Sequence, residues 1–289
     1  MAQTQGNYYL PEPSYWPLVG SIGMFTLLAG FANWLHGGSY LPMIAGAIIL
    51  AVMIFGWFGK VINESQSGKY NDQVDISFRM GMVWFIFSEV MFFAAFFGAL
   101  FYARQLSVPW LGGAGNNAMT HELLWPQFEA IWPLINPPDA SAFDVPKKTI
   151  GAWGVPFYNT LILLTSGLTV TWAHWGLKKG SQAQLITGLF LTVALGATFV
   201  VLQAWEYGHA YQDLNLKLSS GIYGSTFFML TGFHGLHVTI GAIMLLVMLV
   251  RAIKGHFSAK NHFAFEAAAW YWHFVDVVWL GLFIFVYWL

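Results

Sequence analysis

The chain has 289 residues, of which 57% are hydrophobic and 9% charged, with a formal net charge of −1 and no cysteine. An average soluble domain is about 25% charged, so this composition has too little polar surface for a water-soluble globule and points to a membrane protein. The charge balance gives no sign of a basic nucleic-acid surface, and the missing thiols exclude disulfides, iron–sulfur clusters, covalently attached haem and thiolate-held metals.

The N-terminus, "MAQTQGNYYLPEPSYW", has no basic segment leading into an apolar core. No cleavable signal or transit peptide is therefore expected, and membrane insertion falls to the internal segments. A spanning helix needs about 20 mostly apolar residues. Seven stretches qualify, at about 16–35, 41–59, 80–103, 156–177, 185–205, 221–250 and 267–289. The first two are joined by "HGGSY", which predicts an antiparallel hairpin, and a polar connector, "KVINESQSGKYNDQVDISFR", separates the second from the third.

The third stretch contains "FIFSEVMFFAAFFGALF", in which Glu89 stands among Phe85, Ile86, Phe92 and Phe93. At about 1.5 Å per residue, Glu89 lies roughly 15 Å from Arg79, near mid-depth. An ionised carboxylate there costs a few kcal/mol, so a neutral, protonated side chain is the simplest expectation. Two readings stay open: structural glue bonded to Ser88, a backbone carbonyl or another helix, or part of a proton- or lipid-linked function.

After this helix the stretch from about 105 to 155 contains Gly112, Gly113, Gly115 and the run "WPLINPPDASAFDVPKK". Its prolines exclude a continuous helix, so it is expected as an extramembrane loop, and Trp110, Trp125 and Trp132 suit an interface with headgroups or protein.

In the fourth stretch His174 stands between Trp172 and Trp175 near a helix end, consistent with interfacial anchoring, and Glu206 with His209 reads as a capping pair at the end of the fifth. The sixth carries "TGFHGLHV", placing His234 and His237 on one face three residues apart. That pattern suits a metal or haem pair, but the surrounding glycines equally describe close helix packing, and no third ligand stands at a characteristic spacing. In the last stretch, "EAAAWYWHFVDVVW" puts Glu266, Trp270, His273 and Asp276 on one broad face, where His273 and Asp276 can pair. This group reads as an interhelical clamp or a proton relay.

Positive charge sets the orientation. Connectors on the N-terminal side hold Lys60, Lys69, Arg79, Lys178, Lys179, Arg251, Lys254 and Lys260, against Arg104, Lys147, Lys148 and Lys217 on the other. Eight against four places the N-terminus inside and the C-terminus outside. Arg251, Lys254 and His256 then face the same side as Trp57 and Glu64, and such a basic cluster beside spanning helices can bind anionic lipid headgroups.

Together "FRMGMVWFIFSEVMFF", "GIYGSTFFMLTGFHGLHV" and "FEAAAWYWHFVDVVWL", with "SGLTVTWAH" and "LQAWEY", resemble the helix motifs of the cytochrome c oxidase subunit III family. The resemblance runs from about "SYWPLVGS" to the C-terminus, broken mainly at 105–150. It implies an all-α integral membrane protein of seven transmembrane helices in a V-shaped bundle, with a two-helix arm at 16–62 and a five-helix arm at 76–289. It also implies an accessory, non-catalytic subunit of a proton-pumping, aa3-type oxidase in a bacterial cytoplasmic or mitochondrial inner membrane. Haem and copper would sit in partner subunits I and II, with cytochrome c as electron donor, phospholipids in the cleft, and no catalytic residue or metal ligand in this chain. The family's buried helix-3 glutamate maps to Glu89, linked there to proton supply, oxygen access and preservation of the catalytic centre. Lipid-headgroup positions map to Trp57, Glu64, Arg251 and His256, while Asn63 stands where relatives often carry arginine. His234, His237, Glu266, His273 and Asp276 remain a structural polar set. The competing expectations are a subunit III of a quinol oxidase, often five-helical, an independent proton-coupled carrier using Glu89, Glu206 and Asp276, and a bis-histidine haem protein.

Overall fold

The computed structural model describes residues 9–289, so the part of the leader-peptide expectation that rests on residues 1–8 lies outside it. Nine α-helices with short π and 3₁₀ turns make up the described residues, which contain no strand. The helices are α1 (Trp16–Leu35), α2 (Leu41–Gln66), α3 (Asp72–Tyr102), α4 (Val108–Leu111), α5 (Ala118–Leu124), α6 (Val155–Lys178), α7 (Gln182–Gln212), α8 (Gly221–Ile253) and α9 (Phe263–Leu282). Apolar runs of about 20 residues suit helices, in which each backbone N–H and C=O finds its partner within its own segment and none is left unpaired in hydrocarbon.

Among the described residues, six helical stretches are long and apolar enough to cross a membrane: α1, α2, Asp72–Leu111, α7, α8 and Phe263–Trp288. The expected fourth span, α6, is not among them, although its 24 residues reach about 36 Å. Its hydroxyls lower its hydropathy, yet they turn onto their own helix: Thr160 donates to the Pro156 carbonyl, Ser166 to Leu163, Thr171 to Gly167.

The chain divides into two compact units, one through Met80 and one from Gly81 to Leu289. In the first, α1 and α2 form the expected hairpin. Gly37 adopts φ 82° and the N–H groups of His36, Gly37 and Gly38 return to carbonyls of the last turn of α1, the ordinary glycine stop. The two helices approach closely at Gly30 and Gly46, where an added Cβ would strike the backbone of Met43 and of Leu27. The expected connector at 60–79 shrinks to residues 67–71, because polar ends continue both helices. Asn71 Oδ1 accepts from Val74 N at 3.0 Å and Asp72 and Asp75 occupy the first turn of α3, which favours that start.

In the second unit α6 packs on α7, α7 on α8, α8 on α9 and α9 back on α6. The most deeply buried of the spans is the last one. Two indoles of α9, fully buried at Trp272 and Trp279, donate to α6: Trp272 Nε1 to Ser166 Oγ at 2.8 Å and Trp279 Nε1 to Thr160 Oγ1 at 2.9 Å. Gly196 and Gly241 make room for the Trp272 ring, since a Cβ at either would come within 3.0 Å of it.

The helical path of α3 continues through a π turn at Ala103–Ser107 and α4 to Leu111, so the loop starts near 112 instead of 105. The wider π turn before Pro109 spares a hydrogen bond that its missing N–H could not make. The loop folds back onto its own unit: Lys147 N donates to the Leu214 carbonyl at 2.8 Å and Asn215 Nδ2 to Val145 at 3.0 Å. Asp144 accepts from the Ser219 hydroxyl and lies 3.5 Å from Lys217 Nζ.

Two outcomes are expected. Thr160→Val and Ser166→Ala each strand a buried indole N–H, lowering stability by about 1–3 kcal/mol in a denaturant titration of the purified protein. The Ser219 hydroxyl and then Lys217 hold the Asp144 carboxyl below its usual range. A lowered carboxyl stabilises the fold above its ordinary pKa and loses that contribution as pH falls through the lowered value. Amide exchange at 144–148 should therefore rise on acidification below about pH 4, and Asp144→Asn should flatten the response.

Candidate functional site

Glu89 and His237, 148 residues apart, meet between α3 and α8: His237 Nε2 lies 2.8 Å from Glu89 Oε2. The other ring nitrogen, Nδ1, lies 2.6 Å from the Phe233 carbonyl, one turn back on α8. A carbonyl only accepts, so Nδ1 carries the hydrogen and a neutral His237 presents a bare Nε2 to the carboxyl group. The 2.8 Å contact then requires one further proton, held by the acid or by the imidazole. Ser88 does not supply the partner, since its hydroxyl turns to the Phe85 carbonyl at 2.7 Å.

The walls of this site are aromatic. Phe93 meets the imidazole edge-on at 4.9 Å between centroids, Phe92 lies at 5.8 Å, and Tyr271 stacks at 6.4 Å. Phe85 in turn stacks on Tyr271 at 6.2 Å. Few polar atoms compete for the shared proton, and the Glu89 side chain is 21% exposed, so the pair lies at the edge of the unit.

His234 does not join it. His234 is fully buried, its Nε2 donates to the Val275 carbonyl at 3.1 Å, and its ring packs on Trp279. The two histidines of "TGFHGLHV" thus serve different partners, one on α9 and one on α3.

The polar face expected along α9 splits in two. His273 and Asp276 stay together at 3.6 Å, with His273 Nε2 3.2 Å from Thr171 of α6, and the Asp276 carboxyl lies over Gly167. Glu266 belongs elsewhere: its Oε1 lies 3.3 Å from Nε2 of His174 and 3.3 Å from Nε2 of His262. These three are the one group among the described residues whose donor atoms could hold a metal ion. Sequence periodicity alone missed this meeting of the end of α6 with the start of α9. Glu206 and His209 are not a capping pair. Glu206 is buried and accepts from Tyr287 at 2.7 Å, whereas His209 pairs with Asp213 at 2.7 Å.

Of the remaining predicted residues, Trp57 is exposed on α2 of the first unit, while Glu64 is buried there. The Tyr70 hydroxyl donates to Glu64 Oε2 at 2.9 Å, and burial, with the carboxylate beside it, pushes the Tyr70 phenol above its usual range. A cavity of about 690 Å³ opens next to Glu64, with Trp16 and Phe55 as apolar walls and Lys60, Asn63 and Lys69 as polar lining. In the second unit Arg251 is buried at the end of α8, its guanidinium 4.7 Å over the Phe257 ring and its Nε without a hydrogen-bond partner. His256 N donates to the Arg251 carbonyl at 3.0 Å, closing that helix.

Six helical stretches among the described residues, each long and apolar enough to cross a membrane, define an integral membrane protein of the polytopic helical class. The profile described as "Cytochrome c oxidase subunit III" matches residues 6–136 and 123–289. Similar curated proteins named "Cytochrome c oxidase subunit 3" come from Formosania lacustris, 43% identical over 100% of this chain and 99% of the relative, and from Latimeria chalumnae, 42% identical over 100% and 99%. The Equus caballus protein of the same name is 41% identical over 97% of this chain and 96% of its own length. The chain belongs to the cytochrome c oxidase subunit III family, and with it to an oxidoreductase complex of several subunits.

A double-mutant cycle of Glu89→Gln and His237→Leu, read as the denaturation midpoint of the assembled complex, should return a coupling of about 1–3 kcal/mol. Additive effects would mean that the two side chains do not share a proton.

Proposed function

We propose that this chain is the accessory, non-catalytic subunit III of a proton-pumping, aa3-type cytochrome c oxidase. It holds structural phospholipids and sustains proton uptake and oxygen access in the haem- and copper-bearing subunits, with cytochrome c as donor to the complex. Seven helices cross the membrane, α6 being the fourth, with the N-terminus inside and the C-terminus outside, as a two-helix arm at 16–62 and a five-helix arm at 76–289. The hydroxyls of α6, turned onto their own carbonyls, support counting it as a span.

The observation that carries the functional reading is the single proton required between Glu89 and His237 inside an aromatic enclosure. A carboxyl group sharing a proton with an imidazole is available to exchange it, whereas a bare carboxylate among phenyl rings would be too costly to keep. The same pair suits a support role, because it lies at the edge of the unit. Lipid binding is carried separately in each unit. Lys60, Lys69 and Asn63 around an aromatic-walled cavity suit a headgroup above acyl chains, near Glu64 and Trp57. The buried Arg251 with an unpartnered Nε, followed by His256, suits a phosphate oxygen.

In the assembled oxidase, Glu89→Gln should leave haem content and assembly nearly normal while turnover becomes less durable, or proton uptake weaker at high pH. An intact complex that no longer reduces oxygen would assign Glu89 a catalytic role and overturn the accessory reading. A carbodiimide, which attacks protonated carboxyls in apolar surroundings, should modify Glu89 before Glu64 or Asp72. Peptide mapping that gives the reverse order would exclude the shared-proton picture.

A further inference from the structure

The cluster of His174, His262 and Glu266 is absorbed by none of these roles. His262 directly precedes α9, Glu266 lies in the first turn of that helix, and His174 is in the last turns of α6. Each is held on a helix end, so the three donor atoms are positioned by rigid elements.

The hydrogen-bond pattern leaves too many acceptors facing one another. His262 Nδ1 lies 3.0 Å from the Ser258 carbonyl, which only accepts, so Nδ1 carries the hydrogen and a neutral His262 has a bare Nε2. That Nε2 is directed at Glu266 Oε1 from 3.3 Å, and it has no hydrogen-bond partner although His262 is only 7% exposed. His174 Nε2 is likewise without a hydrogen-bond partner and lies 3.3 Å from the same oxygen. Two buried imidazole nitrogens thus converge on one carboxylate oxygen.

We propose that these residues form a binding site for a divalent transition metal, with zinc as the best fit. Zinc takes imidazole nitrogen at about 2.0–2.1 Å and carboxylate oxygen at about 2.0–2.2 Å in a tetrahedron, whose edges are then about 3.3–3.5 Å. Both nitrogen–oxygen separations already equal such an edge. All three donor atoms lie within 4.8 Å of one another, so the remaining edge closes by a small rotation of His174, whose side chain is 21% exposed. Two imidazoles and a carboxylate favour zinc over magnesium or calcium, which prefer all-oxygen shells. The Ser258 carbonyl fixes the His262 ring from behind, as a carbonyl commonly does for a metal-bound histidine. A water molecule on the His174 side completes the coordination. The bound ion ties the end of α6 to the start of α9, a structural clamp sensitive to the metal supply.

The test uses the whole oxidase complex, stripped with a chelator, reloaded with zinc chloride, and assayed for zinc by mass spectrometry. Wild type should retain one zinc equivalent more than His174→Gln, a change at the accessible edge, with assembly of the variant complex checked by its haem content. Affinity for that equivalent should fall at least tenfold in His174→Gln and in His262→Asn, and His209→Gln, whose ring pairs with Asp213, should change nothing. X-ray absorption of the lost equivalent should report two imidazole nitrogens among mixed nitrogen and oxygen ligands. Identical zinc content and affinity in wild type and His174→Gln would overturn the proposal and leave the cluster holding only a proton. Zinc counts on the complex are independent of turnover, so failure here does not touch the accessory role proposed above.

Discussion

Trp272 and Trp279 sit two turns apart on α9, and their indole N–H groups are sealed from solvent. Each has one outlet, a hydroxyl oxygen on α6, and each of those hydroxyls sends its own hydrogen down its helix to Leu163 or Pro156. The hydroxyl is donor within its helix and acceptor across the interface, which satisfies both groups with one atom. This pairing fixes the rotation of α9 about its axis. From that rotation follow the carbonyl of Val275 offered to His234, the carboxyl of Asp276 laid over Gly167, and the face of Tyr271 offered to His237.

The polar chemistry of the second unit is therefore parcelled into separate sets. Glu89 belongs with His237, Glu206 with Tyr287 and Gln203, Asp276 with His273, and Glu266 with two histidines at the helix ends. Separate sets suit a subunit that holds individual protons or ions in place. A carrier would need its carboxyl groups strung along one path, and here each has its own separate partners.

Much of this was legible in the sequence because hydrophobic length is a one-dimensional property. α1 begins and ends where the apolar run does, and Glu89 was conspicuous for standing among phenylalanines. What could not be read was which face meets which helix. His237 was visible as one of a pair three residues apart, and its true partner stands on another helix. Helical spacing groups Glu266 with His273, but one of the two rings that meet it at 3.3 Å comes from α6 and belongs to His174, whose tryptophan neighbours suggest an anchor. Periodicity orders residues around one axis and says nothing of the rotation of the next. The polar ends of α2 and α3 were read as connector for a related reason: beyond the bilayer a helix no longer needs apolar residues, so length of hydrophobicity ceases to mark its end.

The hydroxyls of α6 also have a consequence for biosynthesis. Because Thr160 and Ser166 already bond their own carbonyls, neither hydroxyl hydrogen waits for a partner from a later helix. Trp272 and Trp279 arrive last, on α9, and find acceptors waiting. The order of translation and the order of hydrogen-bond closure coincide, so a chain cut short before α9 would leave α6 to α8 without the helix that completes their ring, but with both hydroxyl hydrogens already bonded.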